Sequence, residues 1–183
     1  MKPRLFQLSI STPDGRFIAR YSAKGLAGLD FPVNGRAELP LGPDAQFTPK
    51  AFGAGRAPTQ QNAIPAHIRA WHRAAESTLK NALTGRAAKN LPPLDLRAGT
   101  EFQRKVWKAL RKISVGRTKS YGEIAKAIGK PKAVRAVGGA CGANPIPVLV
   151  PCHRVLAAHG NIGGFGGGLE WKRKLLAREG IVL

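Results

Sequence analysis

Only two cysteines, Cys141 and Cys152, occur in the 183 residues. One disulfide is arithmetically available, but an intracellular chain of this size rarely depends on one, so free thiols are expected. The cysteines and the four histidines show no C-x-x-C or H-x-x-x-H spacing, and no metal or other cofactor is expected. His67 and His72 share a predicted helix but lie five residues apart, which misses the same-face pairing of a metal-binding couple. No apolar run approaches the roughly 20 residues that a membrane span needs. The opening MKPRLFQLSIS has no long apolar stretch ahead of a small-residue cleavage site, so no secretory signal is read there. The expectation is a cytoplasmic protein, nuclear in a cell that has a nucleus, with no membrane partner.

Negative charge is the other scarce commodity. Ten Asp and Glu face thirty Lys and Arg, for a net charge of +20. Residues 101–183 hold +12 of it, against +8 for the longer stretch 1–100. A field of that sign draws polyanions, of which nucleic acid is the commonest; membrane surfaces and ribosomal RNA attract the same charge.

The pattern of residues predicts two parts, 1–92 and 93–183. LFQLSIS and RFIARYS alternate about the turn TPDG and predict a hairpin. From residue 34 to about 64 the chain is rich in Gly, Pro and Ala and reads as loop. Ile68, Trp71, Ala75, Leu79 and Leu83 predict a helix over 66–83 closed by Gly85, and NLPPLDLRAG at 90–99 reads as a linker. Thr100 caps the next helix, whose Phe102, Val106, Trp107, Leu110 and Ile113 share a face. Ser120 and Glu123 form a capping box, Gly129 ends that helix, and Pro131 opens another with Ala133, Val134 and Val137 facing inward. Two short helices about a tight glycine turn describe a helix-turn-helix, or any corner between helices; Lys126, Lys130, Lys132 and Arg135 favour nucleic acid. RVLAA-HGN-IGGFGGG predicts strand, turn and strand, a wing, ahead of the amphipathic helix LEWKRKLLAREG, with Leu169, Lys172, Leu175, Leu176 and Glu179 spaced along it.

Chemistry concentrates in NPIPVLVPCHRV. Three prolines within seven residues stiffen the approach to Cys152, as a nucleophile held in one orientation requires. A buried structural cysteine fits the same residues. His153 is the adjacent candidate base. Of the four carboxylates after residue 100, Glu101 and Glu123 serve helix starts, and Glu179 is the one placed to reach inward. Cys141 reads as a small packing residue. GGFGGG lacks the G-K-[ST] ending of a phosphate loop.

NPIPVLVPCHRV, the following G-x-x-GG[YF]-x-GG segment and KRKLLAREG closely resemble the methylated-DNA–protein-cysteine methyltransferases, or alkylguanine-DNA alkyltransferases. The likeness runs from about Leu94 to the end and is loose before residue 90. It implies an α+β fold, with an N-terminal α/β domain containing a small antiparallel sheet and a C-terminal winged helix-turn-helix domain. It also implies DNA repair by a single transfer: Cys152 takes the alkyl group from O6-alkylguanine in double-stranded DNA and is spent. By the same resemblance His153 accepts the thiol proton through a water, Glu179 orients the imidazole, and Asn144 ties the recognition helix to the active turn. Tyr121 would donate to the departing base, and Arg135 would fill the gap left by a flipped nucleotide. Lys132, Ala136 and Gly138 would meet the minor groove, and Val155, Phe165, Gly166 and Lys172 would form the base pocket. A monomer is implied. Phe165 departs from the frequent tyrosine, and losing that hydroxyl removes a hydrogen bond worth about 1 kcal/mol. Two rival readings remain. A DNA-binding or lesion-binding regulator needs no reactive thiol, and a Cys-His hydrolase would turn over repeatedly without needing a basic face.

Overall fold

The structure, a computed structural model, describes residues 5–32 and 64–183. The loop expected from residue 34 to about 64 falls almost wholly outside them. Strands β1 (Phe6–Thr12) and β2 (Gly15–Ser22) make the predicted hairpin, antiparallel from Phe6 opposite Tyr21 to Thr12 opposite Gly15. A third strand, β3 (Gly25–Asp30), pairs antiparallel with β2. GLAGLDFP shows no clean alternation, so periodicity does not announce this strand. Helix α1 (Ala66–Leu83) lays Ile68, Ala75, Leu79 and Leu83 against the sheet side chains Ile10, Phe17, Ala19, Tyr21, Leu26 and Leu29, all buried. The linker is less free than its composition predicts. Leu26 N–H donates to Pro93 O at 2.8 Å and Asp95 N–H to Leu26 O at 2.7 Å, so residues 93–95 run beside β3.

The helices that follow start where their caps require. Thr100 and Gln103 form a full capping box for α2 (Glu101–Leu110), and Ser120 and Glu123 do so for α3 (Tyr121–Ala127). Gly129 follows α3 at φ +72° in the C′ position. Helix α4 (Val134–Gly142) begins later than expected: Pro131 lies in the preceding turn, Ala133 is the cap, and Ala133 N–H donates to Lys130 O at 2.9 Å. Of the three residues predicted to face inward, only Val137 is buried, together with Ala140 and Cys141. Ala133 is half-buried and Val134 is 40 % exposed, because residues 134–136 form the open end of the helix. Trp107 Nε1 donates to Ala140 O at 2.8 Å and locks α2 to α4.

The predicted wing hairpin is absent. Strand β5 (Val155–Leu156) pairs in parallel with β4 (Lys119–Ser120), and no strand returns from it across residues 161–168. Five glycines in that stretch offer no side chains to a ladder, and Gly163 and Gly168 take positive φ. Helix α5 (Leu169–Arg178) closes the described chain. The architecture is α+β, and no described helix is long and apolar enough to cross a membrane.

Candidate active site

The turn after α4 is built by one side chain. Asn144 Nδ2 donates to Val150 O at 2.7 Å and to Cys152 Sγ at 3.1 Å, while its Oδ1 accepts from Ile146 N–H at 3.1 Å. Inside that loop Val148 takes φ +70°. A β-branched residue in the left-handed region is strained, and such strain persists only where the surroundings dictate it. Leu149 N–H to Pro147 O and Val150 N–H to Ile146 O, each 2.9 Å, provide that restraint. A single 3-10 turn, Cys152–Arg154, then presents thiol and imidazole in succession, both buried.

His153 is 1 % exposed and lies 2.9 Å from Glu179, Nε2 to Oε1. An ionised carboxylate only accepts, so Nε2 carries the proton and Nδ1 is left with a lone pair. Nδ1 is buried and makes no hydrogen bond to a described protein atom. Glu179 also receives Arg154, through Nε at 3.0 Å and Nη2 at 2.9 Å, and Arg154 Nη1 reaches Ile113 O at 2.6 Å. Burial alone would raise the Glu179 carboxyl, but the hydrogen bonds from His153 and Arg154 overcome it and hold its pKa at about 2. Burial lowers the His153 pKa, against the pull of Glu179, and burial raises that of the Cys152 thiol, against Asn144 and Lys172. Thiol and imidazole therefore rest as a neutral pair.

The remaining wall comes from three directions. The β4–β5 ladder sets Ser120 opposite Leu156 and brings Tyr121, first residue of α3, to the loop, where its hydroxyl lies 3.4 Å from Gly164 O. Burial, then the nearby Cys141 and Cys152, push the Tyr121 hydroxyl up to about 12, so it is a neutral donor near pH 7. Lys172 is fully buried and its Nζ donates to Val155 O at 2.6 Å and Gly164 O at 3.2 Å, tying α5 to β5 and the glycine loop. Phe165 stands 6.5 Å from the His153 ring, edge to face, and is braced by Phe31 at 5.7 Å. Phe31 also packs on Trp171 at 4.9 Å, and Gly167 gives it room: a Cβ there would sit 2.5 Å from the Phe31 ring. Gly167→Ala is expected to destabilise the fold by about 1–3 kcal/mol, the usual cost of overpacking, read as a lowered melting temperature.

A separate face carries the predicted nucleic-acid residues. Lys132, Arg135 and Ala136 are exposed at the start of α4, with Gly138 half-buried beyond them. Gly166 is exposed and lies close to the Gly142 carbonyl at the end of α4. The thiol side thus gathers Cys152, His153, Glu179, Asn144, Tyr121, Val155, Phe165 and Lys172, while Arg135, Ala136 and Gly138 stand on the helix that Asn144 follows and Lys132 in the turn that leads into it.

Residues 101–181 match the family model described as 6-O-methylguanine DNA methyltransferase, DNA binding domain. Over 86 residues the chain is 62 % identical to the methylated-DNA–protein-cysteine methyltransferase of Mycolicibacterium paratuberculosis, covering 47 % of this chain and 52 % of that protein. A protein of the same name from Haemophilus influenzae is 57 % identical over 83 residues, 45 % of this chain and 46 % of its own. The sequence alignments thus span about half the length of these curated relatives. Superposition reaches further. The crystal structure of Mycobacterium tuberculosis O6-methylguanine methyltransferase matches 96 % of this chain and 93 % of its own, at 34 % identity and a TM-score of 0.69. The chain belongs to the O6-methylguanine methyltransferase family. A second structure, Mycobacterium tuberculosis OGT in complex with DNA, covers 93 % of this chain and 90 % of its own at 38 % identity, with a TM-score of 0.67.

Two contributors to this site were not identified from sequence. Arg154 stands within the PCHR motif, and its one signal was a cation beside a proline-stiffened turn with a single free carboxylate to meet. Phe31 lies at the end of β3, some 130 residues before Phe165, and no local pattern links the two. Cys141 is a buried core residue of α4 whose thiol burial pushes up to about 12.

Proposed function

We propose that the protein repairs DNA by moving the alkyl group of O6-alkylguanine onto Cys152, once per molecule. The observation that carries this reading is the buried His153, its Nε2–H held by Glu179 and its Nδ1 unpaired, beside a thiol held by Asn144. The Cys152 proton passes to Nδ1, through a water in the family's pattern, and Glu179 stabilises the imidazolium that forms. The thiolate displaces guanine from the alkyl carbon: the S–C bond forms as the C–O6 bond breaks. Tyr121, a neutral phenol, supplies a proton to the leaving base and recovers it from the imidazolium by way of solvent. Lys172 favours the anionic sulfur electrostatically and holds the pocket wall that Val155, Phe165 and Gly166 complete. The product is a thioether, so the protein is consumed.

An O6 substituent inside the duplex is out of reach of a buried thiol, which requires the nucleotide to flip out. Arg135, exposed on α4, would take the vacated space, with Lys132 on phosphate and the small Ala136 and Gly138 allowing close approach to the minor groove. Arg135→Ala is expected to lower the transfer rate on duplex by about ten-fold or more, the flip costing a few kcal/mol, while leaving the reaction with free O6-methylguanine base unchanged. The protein acts in this reading as a cytoplasmic monomer of two parts, 1–92 and 93–183, the second bearing the chemistry.

The test is direct. Duplex carrying one O6-methylguanine, in excess, should add one methyl to the peptide that contains Cys152 and stop at one equivalent. Binding of the damaged duplex without mass gain would leave a lesion-recognition protein, and repeated product release would mark a hydrolase.

A further inference from the structure

The N-terminal sheet grips the chemistry at one point. The β1–β2 turn is shaped by Thr12, whose hydroxyl donates to Gly15 O at 2.8 Å and accepts from Asp14 N–H at 3.2 Å. That turn points the Asp14 carboxylate, 7 % exposed, at the last turn of α5. Arg178 meets it with both terminal nitrogens, Nη1 to Oδ2 at 2.6 Å and Nη2 to Oδ1 at 2.8 Å, and Lys174 Nζ adds a contact at 2.7 Å. Lys174 and Arg178 are four residues apart, so both cations lie on one side of the helix. A bidentate guanidinium–carboxylate pair fixes direction as well as distance. From another element, Gly85 after α1 packs on the Arg178 carbonyl so closely that a Cβ there would overlap its oxygen. The end of α5 is therefore held twice by residues of the N-terminal part, at the residue immediately before Glu179.

We propose that Asp14 is a positioning residue for the transfer reaction: from the β1–β2 turn it holds the end of α5 so that Glu179 keeps His153 in its reactive orientation. The need is physical. Glu179 stands at the C-terminal cap, where the helix carbonyls repel a carboxylate, and it must serve His153 and Arg154 at once. A small displacement of a positioned catalytic group costs far more in rate than in binding. In its described contacts Asp14 meets α5 and neither α4 nor the thiol, so its influence runs through the end of that helix, Arg178 carrying it to Glu179 and Lys174 adding a second hold one turn earlier. This gives the N-terminal sheet a part in catalysis as well as in packing, and it rests on the transfer reaction proposed above.

Single-turnover transfer from an O6-methylguanine duplex is to be measured at saturating protein, beside the Kd of the same duplex. Asp14→Asn keeps shape and loses charge. The expected result is a transfer rate lowered by about ten-fold with Kd within about two-fold, and recovery of most of the rate when Asp14→Arg is combined with Arg178→Asp. Arg178→Gln breaks the same contact from the helix side and carries the same expectation if the Asp14 variant does not fold. Wild-type transfer rates in folded Asp14→Asn or Arg178→Gln, whatever their melting temperatures, would overturn the proposal. A wild-type protein that transfers no methyl in this assay would instead sink the functional reading beneath it.

Discussion

Cys152→Ser is expected to abolish methyl transfer, a loss of more than about 10³-fold, removal of a nucleophile being among the costliest single changes, while duplex binding stays within about two-fold. Serine keeps an acceptor for Asn144 Nδ2 and alters volume little, so the NPIPVLVPCHR turn keeps its shape. What it loses is a thiol, which gives up its proton far more readily than a hydroxyl and attacks carbon readily once ionised. On the proposed reading the Kd of the duplex is governed instead by Lys132 and Arg135, just before and at the start of α4. Cys141 does not substitute: its thiol is buried, and that burial pushes it up to about 12. Peptide mapping after reaction checks both points. Methyl recovered on the Cys141 peptide of the serine variant would show that the thiol chemistry had been assigned to the wrong residue.

The second large effect is expected at Glu179. Glu179→Gln leaves Arg154, 9 % exposed at its side chain, without a counter-charge, and breaking a buried pair costs about 3–5 kcal/mol. The same change removes the negative charge that stabilises the imidazolium and places an NH2 donor among the groups that donate to position 179, and the transfer rate should fall by about 100-fold or more, general base catalysis being worth about 10²- to 10⁴-fold. Urea titration and single-turnover kinetics read the two losses separately. Arg154→Met tells them apart, since it removes the cation but leaves Glu179 on His153. The wild-type protein carries the matching pH signature. The Glu179 carboxyl is depressed from 4.5 to about 2, and that of Asp14 from 3.8 to about 2, held down first by its hydrogen bond from Arg178. A depressed carboxyl stabilises the fold above its unfolded pKa and loses that contribution as pH falls towards the folded value. Stability should therefore drop steeply from about pH 4.5 down to about pH 2, and Glu179→Gln should flatten that slope while lowering the plateau at neutral pH.

What could be read from sequence was local or carried by a motif. Caps declare themselves within four residues, so Thr100 and Ser120 mark the starts of α2 and α3, and PCHR marks the thiol and its base. Failures came where one element depends on another far along the chain. Val134 sits at a spacing that should bury it, yet nothing covers the open end of α4. The glycine-rich stretch after β5 looks like a hairpin arm, but its conformation answers to Lys172, Tyr121 and Phe31, which reach it from three other segments. The parallel β4–β5 pairing joins residues 36 apart through two rungs only, too short for any periodicity to betray. Arg154 was visible as a residue and invisible as a partner, because Glu179 has room for two donors and spacing along a chain does not count lone pairs.

Many enzymes can be made sturdier by replacing active-site side chains, because groups poised for chemistry are often poor for stability. Glu179 closes that route here. It anchors a buried guanidinium and holds the imidazole proposed as general base with the same two oxygens, so selection for robustness alone would retain it. A library screened only for soluble, heat-resistant protein should keep glutamate at 179 while letting the thiol at 152 drift, and survivors of such a screen would be well-folded proteins with an intact base and nothing to deprotonate.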